Sequence, residues 1–324
     1  VDAVENGNLN PVTSNAVYDG LSLKANTTAI TNPNLLDNPW FTINQRGFTT
    51  DTTATKFYTV DRWYINNSRA TFSNGIMEIE LGAGGGSVRP RFAQVTEHSI
   101  KVGQRYTLTL IAKISVESGY NAPSIALMKS DGSYDGSKYG LLNLHDTGNN
   151  YETFSYSFAP TEDIDNLGVT IIAPITTAVK QSTVSIKAVK LELGSISTLA
   201  MDTAPNTATE LLKCQRYFVR FKASSTNISV ITGFAIVNGT VRFSFNLPVD
   251  MRAYPTISYS ALTDWGASNS NASGALVPTS IARQGALSNR VIVIDLISTG
   301  ITISTPYILY ALSADAYIDF SADL

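Results

Sequence analysis

Few side chains in this sequence have the types and spacing that acid–base or metal chemistry needs. The two histidines, His98 and His145, lie far apart, so they predict neither a His-rich metal centre nor a Ser-His-Asp triad. The sequence contains no Gly-x-Ser-x-Gly nucleophile elbow and no Gly-Lys-Ser/Thr phosphate loop. Paired carboxylates for glycoside cleavage remain an alternative, but Asp and Glu are sparse. The sequence therefore predicts that the chain is not an enzyme.

Aromatic side chains in polar stretches are the residues best suited to bind a sugar. A sugar site needs an exposed aromatic face and converging polar groups. Trp265 lies in the polar stretch 263–269, where an exposed tryptophan is costly unless it contacts a partner. Two tyrosines flank the polar loop 131–138. The candidate ligand-binding residues are Trp265, Asp264, Asn269, Tyr134 and Tyr139, with packing against a neighbouring subunit as the alternative for Trp265.

The segment 131–136 partly resembles a calcium-binding loop. It offers oxygen ligands at alternate positions and a glycine at the turn. Leu142, however, stands where an EF-hand supplies its bidentate glutamate, so a polar hairpin turn is the simpler interpretation. The residues therefore predict no metal site and no cofactor.

The composition restricts the classes of partner. Charged residues make up only 15% of the chain, the formal net charge is −3, and no block of Lys or Arg occurs. Binding to nucleic acid through a basic face is therefore not expected. No apolar run is long enough to cross a bilayer, so membrane insertion is not expected either. The polar surface is typical of extracellular β proteins. The chain begins at Val1, as expected for a fragment or a trimmed product.

Alternating and short apolar runs predict an all-β fold with two β-sandwich, jelly-roll-like domains. The predicted strands of the first domain are 57–60, 76–81, 106–114, 124–128, 151–158 and 184–193. Those of the second are 216–222, 228–237, 240–245, 256–259, 290–297 and 307–311. In strand 184–193 the apolar phase switches at Ala188 and Val189, which predicts a bulge or burial on both faces. Asn238-Gly239 predicts a hairpin.

A short helix between the two β regions is predicted within 205–215. Thr207 or Thr209 is its expected N-cap, with an apolar row of Ala208, Leu211 and Leu212. Cys214, the single cysteine, is expected to be a buried thiol. The predicted domains are therefore a connector at 1–32, a jelly-roll domain at 33–204, a helical linker at 205–216 and a β-sandwich at 217–324.

The first stretch of the chain also has helical character. Pro11 suits the first helical position, where its missing N–H costs nothing. A helix this short is marginal alone, so its apolar row predicts contacts with sister chains in a parallel bundle. The candidate trimer-interface residues are Val12, Ala16 and Leu23, with a frayed terminus as the alternative.

Several segments resemble a pattern of phage and prophage tail fibre proteins. The segments 34–41 (NLLDNPWF), 44–47 (NQRG) and 58–63 (YTVDRW) resemble the start of their jelly-roll, carbohydrate-binding-module-like domain. The segments 190–195 (KLELGS) and 210–218 (ELLKCQRYF) resemble its end and the helix that follows. The segments 247–257 (LPVDMRAYPTI) and 320–324 (FSADL) are similar to the C-terminal domain of these fibres, and 11–18 (PVTSNAVY) resembles their connectors.

The resemblance implies an extracellular, homotrimeric receptor-binding protein at the tip of a virion tail fibre, or of a prophage or tailocin particle. Its partners would be a bacterial surface glycan or cell-wall polymer and, at the N-terminus, other tail or fibre proteins. Jelly-roll modules of this kind often hold a structural calcium ion. The expected motif residues, which more often lock a sandwich than touch a ligand, are Trp40, Arg46, Asp61, Arg62 and Trp63.

In the Asp61–Trp63 motif, we expect the Arg62 guanidinium to lie against a carboxylate beside an indole face. Two alternatives to a trimeric receptor-binding tip stay open. One is a monomeric carbohydrate-binding segment of a secreted bacterial enzyme or adhesin. The other is an architectural spacer that binds no ligand.

Overall fold

A computed structural model describes residues 32–54, 56–82, 90–133, 141–173, 182–203, 205–286 and 288–323. Strands dominate this part of the chain, and the predicted all-β fold class is confirmed. The predicted N-terminal helix, with Val12, Ala16 and Leu23, lies outside the described residues. The boundaries of the four predicted domains remain a proposal.

The first twelve strands build a sandwich of two antiparallel six-stranded sheets. One sheet has the order β1-β4-β5-β12-β7-β10 and the other the order β2-β3-β6-β11-β8-β9. The strands are β1 Thr50–Ala54, β2 Phe57–Tyr58, β3 Tyr64–Asn66, β4 Ser68–Ser73, β5 Ile76–Leu81, β6 Arg91–Val95, β7 Tyr106–Val116, β8 Ser124–Met128, β9 Leu141–Asn143, β10 Glu152–Phe158, β11 Gly168–Ile172 and β12 Ser182–Leu193.

The alternation of side chains along β5 shows how the sequence selects this fold. Met77, Ile79 and Leu81 are buried in the core between the sheets, whereas the intervening glutamates point away from it. A strand places successive side chains on opposite faces, so one face of β5 is apolar and the other is polar. The same core takes in aromatic residues from the opposite side, including Phe92 of β6 and Trp63 just before β3.

Strand β12 confirms the predicted irregularity. Its pairing with β7 shifts register between Ile186 and Ala188, and Ala188 and Val189 are both buried. The C-terminal end of β12 also buries two charged residues, Lys190 and Glu192. The Lys190 Nζ donates to Asp202 Oδ1 at 2.7 Å, so the buried ammonium is paired.

One α-helix, α1 Thr207–Gln215, follows the first sandwich. The predicted caps Thr207 and Thr209 are wrong, because the Asn206 side chain accepts hydrogen bonds from the N–H groups of Ala208 and Thr209. The expected apolar row is also wrong. The helix instead buries Glu210 and Cys214, which confirms the buried thiol, while Ala208 and Leu212 are exposed.

The remaining strands build a second sandwich with a three-stranded and a six-stranded sheet. Their orders are β13-β21-β16 and β17-β20-β14-β15-β19-β18. The strands are β13 Phe218–Lys222, β14 Ile228–Val237, β15 Thr240–Asn246, β16 Thr256–Tyr259, β17 Trp265–Ser268, β18 Ser280–Ala286, β19 Val291–Ile297, β20 Pro306–Ala311 and β21 Tyr317–Ser321. Short 3-10 helices occur at Leu199–Met201, Leu262–Asp264 and Ala272–Gly274.

The predicted hairpin of the second sandwich is confirmed. Strands β14 and β15 pair up to Val237 and Thr240, and Gly239 has a φ of +87°, a conformation that glycine adopts without strain. The alternating Val241, Phe243 and Phe245 are all buried in the core. The hairpin therefore supplies one inner wall of this sandwich.

Candidate ligand-binding site

The Asp61–Trp63 motif lies in a tight, positive-φ turn that ends at strand β3. Arg62 has a φ of +74°, which is uncommon for a residue with a side chain. The buried Asp61 carboxylate accepts hydrogen bonds from the Gln45 backbone N–H at 2.6 Å and from Gln45 Nε2 at 2.8 Å. Burial raises the pKa of Asp61, against the opposing effects of the Arg46 charge and the two Gln45 hydrogen bonds.

Arg62 joins the two sandwiches. Its Nε donates to Asp37 Oδ2 at 3.1 Å and its Nη2 donates to the Val95 carbonyl at 2.6 Å. Its guanidinium carbon lies 3.2 Å from the ring centre of Tyr217, just before β13. The expected carboxylate partner is present, but the aromatic face is that of Tyr217 and not an indole.

Trp63 and Trp40 differ in burial. Trp63 is fully buried, stacks on Phe92 with ring centres 4.8 Å apart, and donates from Nε1 to the Asn38 carbonyl at 3.0 Å. Trp40 is only half-buried. Trp63 therefore stabilises the first core and positions the turn that carries Asn38.

Arg46 reaches from the first sandwich to the C-terminal end of the chain. It forms a salt bridge with Asp323 and lies 3.6 Å from the ring centre of Phe218 in β13. Arg220 approaches from the other side. It donates to the Arg46 carbonyl at 2.5 Å and holds both oxygens of Asp319 at 2.7 Å. The two arginines are thus fixed by partners in both sandwiches.

Glu97 makes a second set of contacts across the junction, the region where the first sandwich meets the end of helix α1 and the second sandwich. It accepts hydrogen bonds from Arg216 Nη2 at 2.7 Å and from the Tyr217 hydroxyl at 3.1 Å. Arg252 Nε lies 3.5 Å from its other oxygen. Together with the contacts of Arg62 and Arg46, these contacts hold the two sandwiches in one arrangement.

A cleft of about 570 Å³ opens at this junction. Its volume falls in the range of small-molecule sites, and its walls come from both sandwiches. The residues that define its chemistry are Arg46, Lys56, Phe57, Tyr58, Arg220 and Asp323. Hydroxyl groups of Thr49, Ser258 and Ser321 also line it.

Aromatic rings supply the apolar part of the cleft. Phe57 is 40% exposed, an unusual position for a phenylalanine beside charged groups. Lys56 Nζ lies 4.7 Å from the ring centre of Tyr64. Burial lowers the pKa of Lys56, although the nearby charge of Asp323 acts in the opposite direction. Burial and the Asp323 charge raise the pKa of Tyr58, so its hydroxyl stays protonated at neutral pH.

The cleft therefore combines ring faces with hydroxyl groups and pre-positioned charged groups. A saccharide presents C–H patches and hydroxyl groups on the same ring, and this lining can contact both. Arg46 and Arg220 are held by contacts within the protein, so binding would require little ordering of their side chains.

Trp265 does not present the expected exposed aromatic face. It is 1% exposed, begins strand β17, and donates from Nε1 to Ser260 Oγ at 3.1 Å. The polar stretch 263–269 does not look like a core strand in sequence, but all four residues of β17 are buried. Gly266, Ala267 and Ser268 are small, and β17 pairs with the buried strand β20.

The other candidate ligand residues are not brought together with Trp265. Asp264 is half-buried at the end of a 3-10 helix and Asn269 is exposed. Tyr134 and Tyr139 lie outside the described residues. The sequence pattern does not predict the cleft, because its lining comes from segments far apart in the chain. The one available signal was the aromatic pair Phe57-Tyr58, which was assigned only to a strand.

No group of three or more His, Cys, Asp or Glu side chains within the described residues could hold a metal ion. Asp131, the first residue of the calcium-like loop, accepts a hydrogen bond from the Ser133 N–H at 2.7 Å. In the same described ranges, no helix combines the length and apolar character that a bilayer span requires.

No family model and no curated protein matches this chain. Among solved structures it is similar to the carbohydrate-binding module "BiXyn10A CBM1 APO", with 14% identity, a TM-score of 0.31, and coverage of 50% of this chain and 99% of that one. The CBM22-1 xylan-binding domain of Paenibacillus barcinonensis Xyn10C gives 10% identity, a TM-score of 0.29, and coverages of 52% and 100%. Likenesses this distant carry no argument about what this chain binds.

Proposed function

We propose that this chain is an attachment protein that binds saccharides of a bacterial surface without cleaving them. The observation that carries the proposal is the cleft between the sandwiches, with the exposed Phe57 ring beside Lys56 and arginines that are already fixed. A sugar ring would place a C–H face on Phe57, and its hydroxyl groups would contact Thr49, Ser258 and the charged rim.

Binding fits this cleft better than hydrolysis does. Both oxygens of Asp319 are bonded to Arg220, and Asp323 is paired with Arg46. A retaining or inverting glycosidase needs two carboxyl groups that face the scissile bond, one of which gives up a proton. Here both carboxylates of the cleft lining are already bonded to arginines, which favours a structural role for them over proton transfer.

The sequence resemblance supports a more specific role, in the extracellular tip of a phage, prophage or tailocin tail fibre. In that role three copies would associate, with Val12, Ala16 and Leu23 in a bundle and other tail proteins beyond the N-terminus. A single weak site, with a dissociation constant on the order of millimolar, would gain about 10² to 10⁴ in avidity from repeated copies.

A direct test is binding of the labelled full chain to bacterial cells and to a glycan array. The Phe57→Ala variant should lose most of the binding, because it removes the exposed ring of the cleft. Tyr120→Ala is the matched control, since Tyr120 is a similarly exposed aromatic of the first sandwich. Wild-type chain that binds no saccharide on either surface would refute the proposal and favour a spacer.

A second candidate is a monomeric carbohydrate-binding segment of a secreted bacterial enzyme or adhesin. The lining of the cleft, with Phe57 beside Lys56 and Arg220, suits a binding segment of that kind equally well. Light scattering after size-exclusion chromatography separates the two candidates. A trimer supports the fibre, and a monomer that binds saccharide supports the segment.

A further inference from the structure

The acidic side chains of the cleft are turned away from the space that a ligand would fill. The side chains of Asp319 and Asp323 are only 7% and 8% exposed. Both oxygens of Asp319 accept hydrogen bonds from Arg220. One oxygen of Asp323 accepts from Arg46 and from the Ser321 hydroxyl, and its other oxygen is buried. The carboxylates therefore present little negative charge to a ligand.

The arginine that covers Asp319 keeps donor groups for a ligand. A guanidinium has five N–H groups. Arg220 donates one to each oxygen of Asp319 and one to the Arg46 carbonyl, so two have no partner within the described part of the chain. The Arg220 side chain is 19% exposed and lines the cleft. A carboxylate or phosphate oxygen is the acceptor that such charged donors bind most strongly.

Lys56 adds a cation at the rim of the cleft. Lys56 and the neighbouring Phe57 are both exposed, and both line the cleft. An acidic substituent on a sugar ring that contacts Phe57 can therefore reach the Lys56 ammonium group. An ammonium group attracts an anion as a point charge, so this contact tolerates several orientations of the sugar.

The charges of the lining are not balanced. The described residues that line the cleft include three cationic side chains, Arg46, Lys56 and Arg220, and two carboxylates. Each carboxylate is bonded to an arginine, which leaves the lining with an excess of one positive charge. The whole chain has a formal net charge of −3, so it is not expected to attract polyanions in general. A preference for an anion must therefore come from the cleft.

We propose that the cleft selects saccharides that carry an acidic group, a carboxylate or a phosphate, over neutral saccharides. The proposal rests on the saccharide binding proposed above and adds the class of saccharide. The sugar ring would lie on Phe57, and its acidic group would contact Lys56 and the remaining donors of Arg220.

The test uses surface polysaccharide from a bacterium to which the chain adheres, separated by anion exchange into a neutral and an acidic fraction. Calorimetric titration of the full chain at low salt should show at least about 10-fold tighter binding of the acidic fraction. Added salt should reduce this difference, because it screens the contact. Reduction of carboxyl groups to alcohols should remove the preference if the acid is a carboxylate, and leave it if the acid is a phosphate.

Lys56→Gln should weaken binding of the acidic fraction by about 5- to 10-fold, because it removes the cation at the rim. Lys187→Gln is the matched control and should leave this affinity unchanged. Lys187 is also an exposed lysine of the first sandwich that lies over a tyrosine, with its Nζ 3.8 Å from the ring centre of Tyr151. Near-UV circular dichroism checks that both variants are folded. If Lys56→Gln is not folded, the comparison of the two fractions on wild type decides.

Two results would overturn the preference for acidic saccharides and leave saccharide binding itself standing. One is equal affinity of wild type for the two fractions, and the other is unchanged affinity of a folded Lys56→Gln variant for the acidic fraction. Binding of neither fraction would instead refute the proposed function, and the preference with it.

Discussion

Arg62 contacts three separate parts of the molecule with one guanidinium group. It bonds to Asp37 and to the Val95 carbonyl and stacks on Tyr217 across the junction. A planar guanidinium can donate in its plane and stack through its face at the same time, which an ammonium group cannot do. Placing the side chain in this position requires a positive φ at Arg62, which strains the backbone locally.

Arg62→Lys should therefore destabilise the protein by about 2 to 3 kcal/mol, even though the charge is kept. Urea unfolding measures this change. Arg69→Lys is the matched control, because Arg69 is exposed, and it should cost less than about 0.5 kcal/mol. Equal effects of the two substitutions would contradict the role assigned to Arg62.

Gly233 in β14 must lack a side chain. A Cβ at this position would lie 2.3 Å from the Arg242 carbonyl oxygen and 2.5 Å from the Phe243 ring. Gly233→Ala should therefore cost about 1 to 3 kcal/mol through overpacking of the core. Thermal unfolding can compare it with Gly274→Ala, where the nearest atom is 3.8 Å away and little loss is expected.

At the scale of elements, helix α1 depends on its cap. Asn206 Oδ1 accepts from two N–H groups that have no partner within the helix. Asn206→Ala should destabilise the protein by about 1 kcal/mol, whereas Thr207→Ala should change little, because Thr207 does not cap the helix. Chemical unfolding of both variants measures the two losses of stability. A larger loss for Thr207→Ala would show that Thr207, and not Asn206, caps the helix.

Several strands with clear apolar patterns were predicted from the sequence, but the buried apolar strand β11 and strands with small or polar residues were not. The predictions for β5, β8, β14 and β16 match the observed strands in type and place. Strand β17 was missed because Gly266, Ala267 and Ser268 carry no apolar signal, and its burial comes from pairing with β20. Tertiary neighbours decide such strands, and a local pattern does not contain them.

At the scale of the whole molecule, the motif segments meet at the junction. Four of these segments lie far apart in sequence: 44–47, 58–63, 210–218 and 320–323. Side chains of the first two contact residues of the last two, as in the pairs Arg46–Asp323 and Arg62–Tyr217. Among these segments, the sequence predicted a structural role for Arg46, Asp61, Arg62 and Trp63. It could not predict the cleft, because only the docking of the two sandwiches brings Phe57 near Arg220 and Asp323.

The junction should loosen in acid. Burial raises the pKa of Glu97, but hydrogen bonds from Arg216 and Tyr217 and the charges of Arg216 and Arg252 outweigh it, so the pKa is lowered on folding. Its contribution is therefore present above the unfolded pKa of about 4.3 and is lost as pH falls through the lower folded value.

Glu97→Gln should consequently destabilise the chain near pH 7, and its difference from wild type should shrink as pH falls below about 4. Urea unfolding across this pH range measures the difference. Arg216→Met should reduce the same pH dependence, because it removes one of the charged groups that lower the pKa of Glu97. A difference between wild type and Glu97→Gln that stays constant with pH would contradict this account.

The central claim is that the cleft binds a saccharide and does not cleave it. The most direct measurement is calorimetric titration of the full chain with polysaccharide from a bacterium to which it adheres, followed by chromatography of the recovered polysaccharide. We expect wild type and Tyr120→Ala to bind equally, Phe57→Ala to bind at least about 10-fold more weakly, and the polysaccharide to keep its length. Unchanged affinity of a folded Phe57→Ala variant, or shortened polysaccharide, would contradict the claim.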